Sequence, residues 1–248
     1  MGWRKIDGRW AYLYHGGALG REDVTVDLGD GLGEYTLGGE LGTASAKTAA
    51  EWSYNIRTVM SDHIAVPLLA TTYLAPLREA LVSAGFVPRY TLYLVGDPKV
   101  GKSIGAELAQ YHYRAVAEAQ FPCGFYDTAN RVEGLAFRLK DALLVVDDLH
   151  PTSSTQERRK MEDMANRLSR LTPRGRMNAD GTSRKVTPPR SLTIVTAEYM
   201  PNIGESGVSR CYEVEVRKTD VPKDGRLTAM QEQGQLGTLR KAMRGYIE

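Results

Sequence analysis

The run Gly96-Asp97-Pro98-Lys99-Val100-Gly101-Lys102-Ser103 limits the possible folds of this chain more than any other stretch. It obeys the pattern G-x-x-x-x-G-K-[ST] and follows an apolar, β-prone segment, Tyr90 to Val95. Lys102 then opens a helix-forming stretch that reads on to about residue 119. Strand, glycine-bounded turn and helix in that order make a specific device. Successive backbone amides point into one hollow, the glycines allow close approach, and the helix N-terminus adds partial positive charge. Such a hollow suits phosphate oxygens. A strand that feeds a helix in this way belongs to a parallel sheet with helices on its faces.

Buried strands recur downstream. Ala142 to Val146, Ser191 to Thr196 and the alternating run Tyr212 to Val216 all read as strands. Helical stretches separate them, starting near Arg131 and spanning about 155–171, with another in the tail from about 225 to 248. The expected class is therefore α/β, a parallel sheet sandwiched by helices. Residues 1–62 are expected to form a small β-rich segment and a helix with Thr43 or Ser45 as its N-cap. Residues 63–224 would be the core, opened by a Pro-interrupted helical pair over about 65–84, and residues 225–248 a reduced lid or tail.

Composition excludes little. The 248 residues are 42% hydrophobic and 25% charged, as in soluble globular chains. Cys123 and Cys211 are too few for a disulfide framework or a zinc site, which points to a reducing, cytoplasmic setting. The N-terminus lacks the apolar core of a signal peptide. The most apolar window, Ile64 to Val82, carries Pro67, Pro76, Arg78 and Glu79, so no membrane span is expected.

The chemistry-bearing residues fall at strand ends, where open α/β sheets bind ligands. Residues Gly96 to Ser103, with Ile104 behind them, would cradle the phosphates of ATP, and Lys102 would reach the β- and γ-phosphates. Leu143-Leu144-Val145-Val146 runs into Asp147 and Asp148. Either acid alone could merely cap the next helix. As a pair at the end of a buried strand, Asp147 would hold Mg²⁺ together with Ser103, and Asp148 would polarise the attacking water. Thr196, closing the next strand, would sense the γ-phosphate or the water. Arg210 is expected near the rim of the nucleotide face, where it would reach a neighbouring subunit's γ-phosphate.

Charge is concentrated in one place. Residues 151–190 hold ten basic against four acidic side chains, in a chain whose formal net charge is only +2. Within this segment Met177 to Val186 reads as a hairpin turning at Asp180-Gly181. It would cluster Arg174, Arg176, Arg184 and Lys185, a set suited to the phosphate backbone of DNA without base preference.

From about Ala65 to Val216 the chain resembles the ATPase domain called domain of unknown function 927. Beyond the P-loop, the resemblance rests on Asp127–Ala136, Asp141–Asp148, Ala165-Asn166-Arg167, Gly175–Gly181 and Arg190–Glu198. It implies a P-loop NTPase core of the AAA+/RecA-like kind, related to superfamily 3 helicase modules of phage, plasmid and mobile-element replication proteins. It further implies ATP and Mg²⁺ as cofactors, single-stranded DNA as partner and a hexameric ring of identical subunits. That family usually has Asp-Glu where this chain has Asp147-Asp148, and only about twenty residues follow the core. Two other readings stay open: an ATP-dependent loader or switch that binds a protein partner, and a small-molecule P-loop kinase.

Overall fold

The computed structural model describes residues 1–29, 31–39, 41–116, 120–169, 187–222 and 224–248. Its centre is a five-stranded, wholly parallel sheet. The strands are β4 (Thr91–Val95), β5 (Cys123–Gly124), β6 (Leu143–Leu149), β7 (Leu192–Ala197) and β8 (Cys211–Glu215), in the spatial order β5-β6-β7-β4-β8. Strands β4 and β7 are buried at every position, which is what near-continuous apolar runs achieve inside a parallel sheet. The order matters for the site. The strand before the P-loop and the strand ending in the acid pair are not neighbours, because β7 lies between them.

Helices flank this sheet. They include α2 (Asp62–Leu74), α3 (Arg78–Ser83), α4 (Lys102–Gln110), α5 (Ala129–Arg138), α6 (Thr155–Ser169) and the short α7 (Glu205–Val208). The expected Pro-interrupted pair is present: α2 ends at Leu74 and a 3₁₀ turn over Ala75–Leu77, holding Pro76, leads into α3. Helix α4 is shorter than expected. Tyr111, His112 and Tyr113 are all fully buried. Three consecutive residues cannot all face inward from a helix lying on a sheet, so the chain leaves the helix and turns into the core. Strand β5 was not expected at all. Two residues give no periodicity, yet Phe125 extends its ladder by donating its amide to Asp147 O at 3.0 Å.

Before the core, an antiparallel meander of β1 (Gly2–Ile6), β2 (Arg9–Tyr14) and β3 (Gly17–Leu19) precedes α1 (Ala46–Tyr54). Ser45 caps α1 by accepting the Thr48 amide at 3.1 Å, as expected. The meander docks beside the amino end of β6. Tyr12 donates its hydroxyl to Asp141 O at 2.6 Å, and Tyr35, in the following loop, donates to Leu143 O at 3.1 Å. After the core, α8 (Arg226–Gln235) packs on α4, and α9 (Thr238–Ile247) packs on both α8 and α1. Among the described residues no helix is long and apolar enough to cross a membrane. The hairpin residues Arg174, Arg176, Arg184 and Lys185 lie outside the described residues.

Candidate nucleotide site

The P-loop leaves β4 at Gly96, whose amide donates to Ala197 O at 3.1 Å and so ties the loop to the middle strand. Glycine is required at both ends of the motif. A Cβ on Gly96 would meet Val216 O at 2.2 Å. Gly101 has φ +110°, and a Cβ there would meet Val221 Cγ2 at 2.7 Å. Between them Asp97, Pro98 and Lys99 are exposed, Lys99 in the left-handed region at φ 62°, while Val100 is buried and anchors the turn. Ile104 is half-buried in the first turn of α4. Among the described residues no side chain caps that helix, so its leading amides are left to face the hollow.

Lys102 is the buried cation of the site, only 9% exposed. Its ammonium donates to Gly96 O at 2.6 Å and Asp97 O at 2.7 Å, which folds it across the mouth of its own loop. Burial pulls this amine below its ordinary pKa. The carboxylates of Glu198, Asp97, Asp147 and Asp148 work the other way, Glu198 most strongly.

The acid pair stands at a bulge. Val146 pairs with Val195 and Leu149 with Ala197, so Asp147 and Asp148 together oppose the single residue Thr196. Asp148 adopts φ 69° and is exposed, whereas Asp147 is half-buried. The Thr196 hydroxyl accepts the Asp148 amide at 3.0 Å and donates to Asp147 Oδ1. Ser103 Oγ donates to the same Oδ1 at 3.4 Å. Burial raises the Asp147 carboxyl above its usual range; the hydrogen bond from Thr196 opposes this and the charge of Asp148 adds to it.

These donors fit a magnesium-bound nucleotide. Ser103 Oγ and Asp147 Oδ1 are hard oxygens, and an octahedral Mg²⁺ with bonds of about 2.0–2.1 Å sets adjacent ligands about 3 Å apart. Their 3.4 Å separation is close to that spacing. Among the described residues there is no cluster of three or more His, Cys, Asp and Glu side chains able to hold a metal. A two-ligand arrangement is what Mg²⁺ uses when phosphates and waters complete its sphere.

Lys102, Ser103, Asp147, Asp148 and Thr196 therefore all meet at the carboxyl end of the sheet. Arg210 does not. Its carbonyl accepts the Thr91 amide at 2.9 Å, and β8 runs parallel to β4 from Cys211 opposite Thr91 to Glu215 opposite Val95. A residue just before a parallel strand must lie at the amino end, so Arg210 sits a strand length away from the P-loop of its own chain. The expectation of a place near the rim of the nucleotide face is corrected on that ground.

Two residues of the site went unread in the sequence. Glu198 follows Thr196 at the strand period of two, so it returns to the same face; its amide donates to Leu149 O at 2.8 Å. That alternation was a usable signal. His150 places Nδ1 3.1 Å from Asp148 O and 3.3 Å from Asp148 Oδ2. It follows Asp148 by two residues, a spacing that carried no signal of its own.

No protein-family model matches this chain, and no curated protein matches it. Solved structures do. The fold is similar to that of the SCCmec type IV Cch active helicase, with a TM-score of 0.61 and 14% sequence identity over 99% of this chain and 45% of that one. Two structures of the JCV helicase are more distant, with TM-scores of 0.43 and 0.40 at 12% and 14% identity, over 80% and 81% of this chain. This chain spans less than half the length of the Cch helicase and about half that of the JCV helicase chains. Sheet, flanking helices and the small antiparallel meander together make this a helicase-like α/β P-loop fold.

Proposed function

We propose that this chain is an ATP-hydrolysing, DNA-binding helicase-like motor acting in the replication of a phage or mobile element. The observation that carries the reading is the meeting of Lys102 and Ser103 from the P-loop with Asp147 from β6 across the single strand β7. A phosphate cradle alone would serve many purposes. A cradle with a buried lysine across its mouth and a hydroxyl facing a carboxylate suits phosphoryl transfer, where catalysis is mostly positioning and charge stabilisation. The similarity to the Cch helicase over nearly the whole chain supports the same reading.

The roles follow from placement. The amides of Gly96 to Ser103 and the start of α4 would hold the phosphates, with Lys102 swinging from its carbonyl partners to the β- and γ-oxygens. Ser103 and Asp147 would hold Mg²⁺, which neutralises charge on those oxygens when bound. The exposed carboxylate of Asp148 would orient water. Arg210, at the far end of the sheet, would act on the nucleotide of a neighbouring copy in a hexameric ring. Arg174, Arg176, Arg184 and Lys185 would contact single-stranded DNA along its backbone.

The test is phosphate release with and without single-stranded DNA, alongside particle mass in ATP. Hydrolysis stimulated by DNA, lost by about 100-fold or more in Lys102→Ala, with a hexamer-sized particle, is the expected result. The engagement of Asp148 with His150 favours a second reading, an ATP-dependent loader or switch that binds a protein partner without unwinding. Slow hydrolysis indifferent to DNA, by a monomer, would select it.

A further inference from the structure

We propose that Thr196 is a positioning residue for Asp147 and Asp148 and does not sense the terminal phosphate; the inference rests on the ATPase reading above. A hydroxyl has one proton to give and two lone pairs to receive with. The Thr196 proton goes to Asp147 Oδ1, and its oxygen receives the Asp148 amide at 3.0 Å. Phosphate oxygens only accept. To bind one, Thr196 would have to withdraw its proton from the metal-holding carboxylate at the moment the metal is needed.

The arrangement answers a local problem in the sheet. The bulge sets two residues of β6 against one of β7, which orphans a backbone amide at Asp148 and turns that residue to φ 69°. A backbone amide turned towards the sheet is better held by a fixed acceptor, and a non-glycine residue in the left-handed region needs surrounding contacts to hold it there. Thr196 is 2% exposed, so its hydroxyl is a fixed partner on the sheet side of the exposed Asp148. Its hydroxyl supplies the missing acceptor and, through its proton, locks Asp147 to the same atom. A valine here would fill the same space on a buried strand and do neither.

Thr196 thus sets where Asp147 Oδ1 stands relative to Ser103 Oγ, 3.4 Å away. Its loss should register in metal affinity before it registers in turnover. The experiment compares the full chain with Thr196→Val and Thr196→Ser in ATP hydrolysis. It reads the Mg²⁺ concentration for half-maximal rate, and kcat at saturating Mg²⁺. Thr196→Val should raise the half-saturating Mg²⁺ by about tenfold or more, the scale of one charge-assisted hydrogen bond. Its kcat at saturating Mg²⁺ should fall as well, because Asp148 loses its amide partner, but by a smaller factor than the Mg²⁺ requirement rises, since bound metal can recapture the Asp147 carboxylate. Thr196→Ser should behave as the parent.

A kcat that falls further than the Mg²⁺ requirement rises would overturn the proposal in favour of a phosphate sensor. A Thr196→Val protein equal to the parent in both measures would overturn it outright. If Thr196→Val does not fold, Thr196→Cys, with a weak donor and acceptor in the same place, is read in its stead by the same criteria. A parent protein that shows no Mg²⁺-dependent ATP binding sinks the ATPase reading itself, a result the parent alone reveals.

Discussion

Ser103 Oγ stands 3.4 Å from Asp147 Oδ1, although Ser103 lies in the first turn of the helix that follows β4 and Asp147 lies near the end of β6, two strands that do not touch. Strand β7 separates them, so its width sets the gap between the P-loop and the acid pair. This explains why the middle strand carries polar residues at its end although it is buried along its length. Thr196 and Glu198 face the gap and Ala197 faces away, its carbonyl receiving the Gly96 amide from the P-loop side. The site is thus a property of strand order as much as of the motif.

Glu198 adds negative charge beside the place where a triphosphate would sit. Among the groups that act on the Lys102 ammonium its carboxylate is the strongest in holding the proton on. Glu198→Gln removes the charge and keeps the shape. ATP should then bind about threefold to tenfold more tightly at low salt, with the gain shrinking as ionic strength rises. Titration with a fluorescent ATP analogue at two salt concentrations measures this. Weaker binding would mean that Glu198 matters by keeping Lys102 in place and not by repelling the ligand.

The basic segment makes a separate demand. Arg176→Ala combined with Lys185→Ala removes two charges from residues 151–190, where the positive excess of the chain resides. Affinity for single-stranded DNA should drop, and the slope of log affinity against log salt should flatten by about 1.4 for two lost phosphate contacts. ATP affinity should not change. An unaltered slope would remove these two residues from the DNA interface.

How much of this the sequence disclosed depended on the kind of signal. Tyr90–Val95, Leu143–Val146 and Ser191–Thr196 were legible because a short apolar run cut off by glycine or acids matches a buried strand and little else. Cys123-Gly124 was not, since a two-residue strand exists only by pairing with Val146 and Asp147. Arg210 was misplaced because the direction of β8 went unused: in a parallel sheet a residue before a strand and a residue after one lie at opposite ends. The bulge at Asp147-Asp148 exists only as a register against Thr196 in another strand. Local pattern carries the elements and the motif; what joins strand to strand has to be seen.

A buried histidine should make the fold acid-sensitive. His112 is fully buried, and burial lowers its pKa from 6.5 to about 4. Its Nδ1 lies 3.0 Å from Leu108 O and 3.2 Å from Ala109 O, so that nitrogen carries the proton. Nε2 then accepts from Ser53 Oγ at 2.7 Å, and Tyr73 donates to Ser53 in turn. Because the folded pKa is the lower one, this residue costs nothing above pH 6.5. As pH falls from 6.5 towards 4 the unfolded chain takes up the proton first, and about 3 kcal/mol of stability should be lost. Urea midpoints at pH 7 and pH 4.5 should show a smaller acid loss for His112→Gln than for the parent. Equal losses in the two proteins would assign acid sensitivity to the carboxylates instead.

Arg210 can be tested through the distance between it and its own P-loop. Since the two lie at opposite ends of β4 and β8, any action of Arg210 on nucleotide in a ring would be on the next copy. Arg210→Ala and Lys102→Ala should each be inactive alone. Mixed in equal parts they should regain activity, because an intact P-loop on an Arg210→Ala subunit can face an intact arginine on a Lys102→Ala subunit. Random assembly into closed rings puts that pairing at about one quarter of the interfaces, which bounds the recovered rate near a quarter of the parent's. The measurement is phosphate release across a series of mixing ratios. A rate that stays at zero throughout, with mixed particles verified by mass, would leave Arg210 as a surface residue whose hydrogen bonds to Ser206 O and Ser206 Oγ, at 3.0 and 3.3 Å, are its whole purpose.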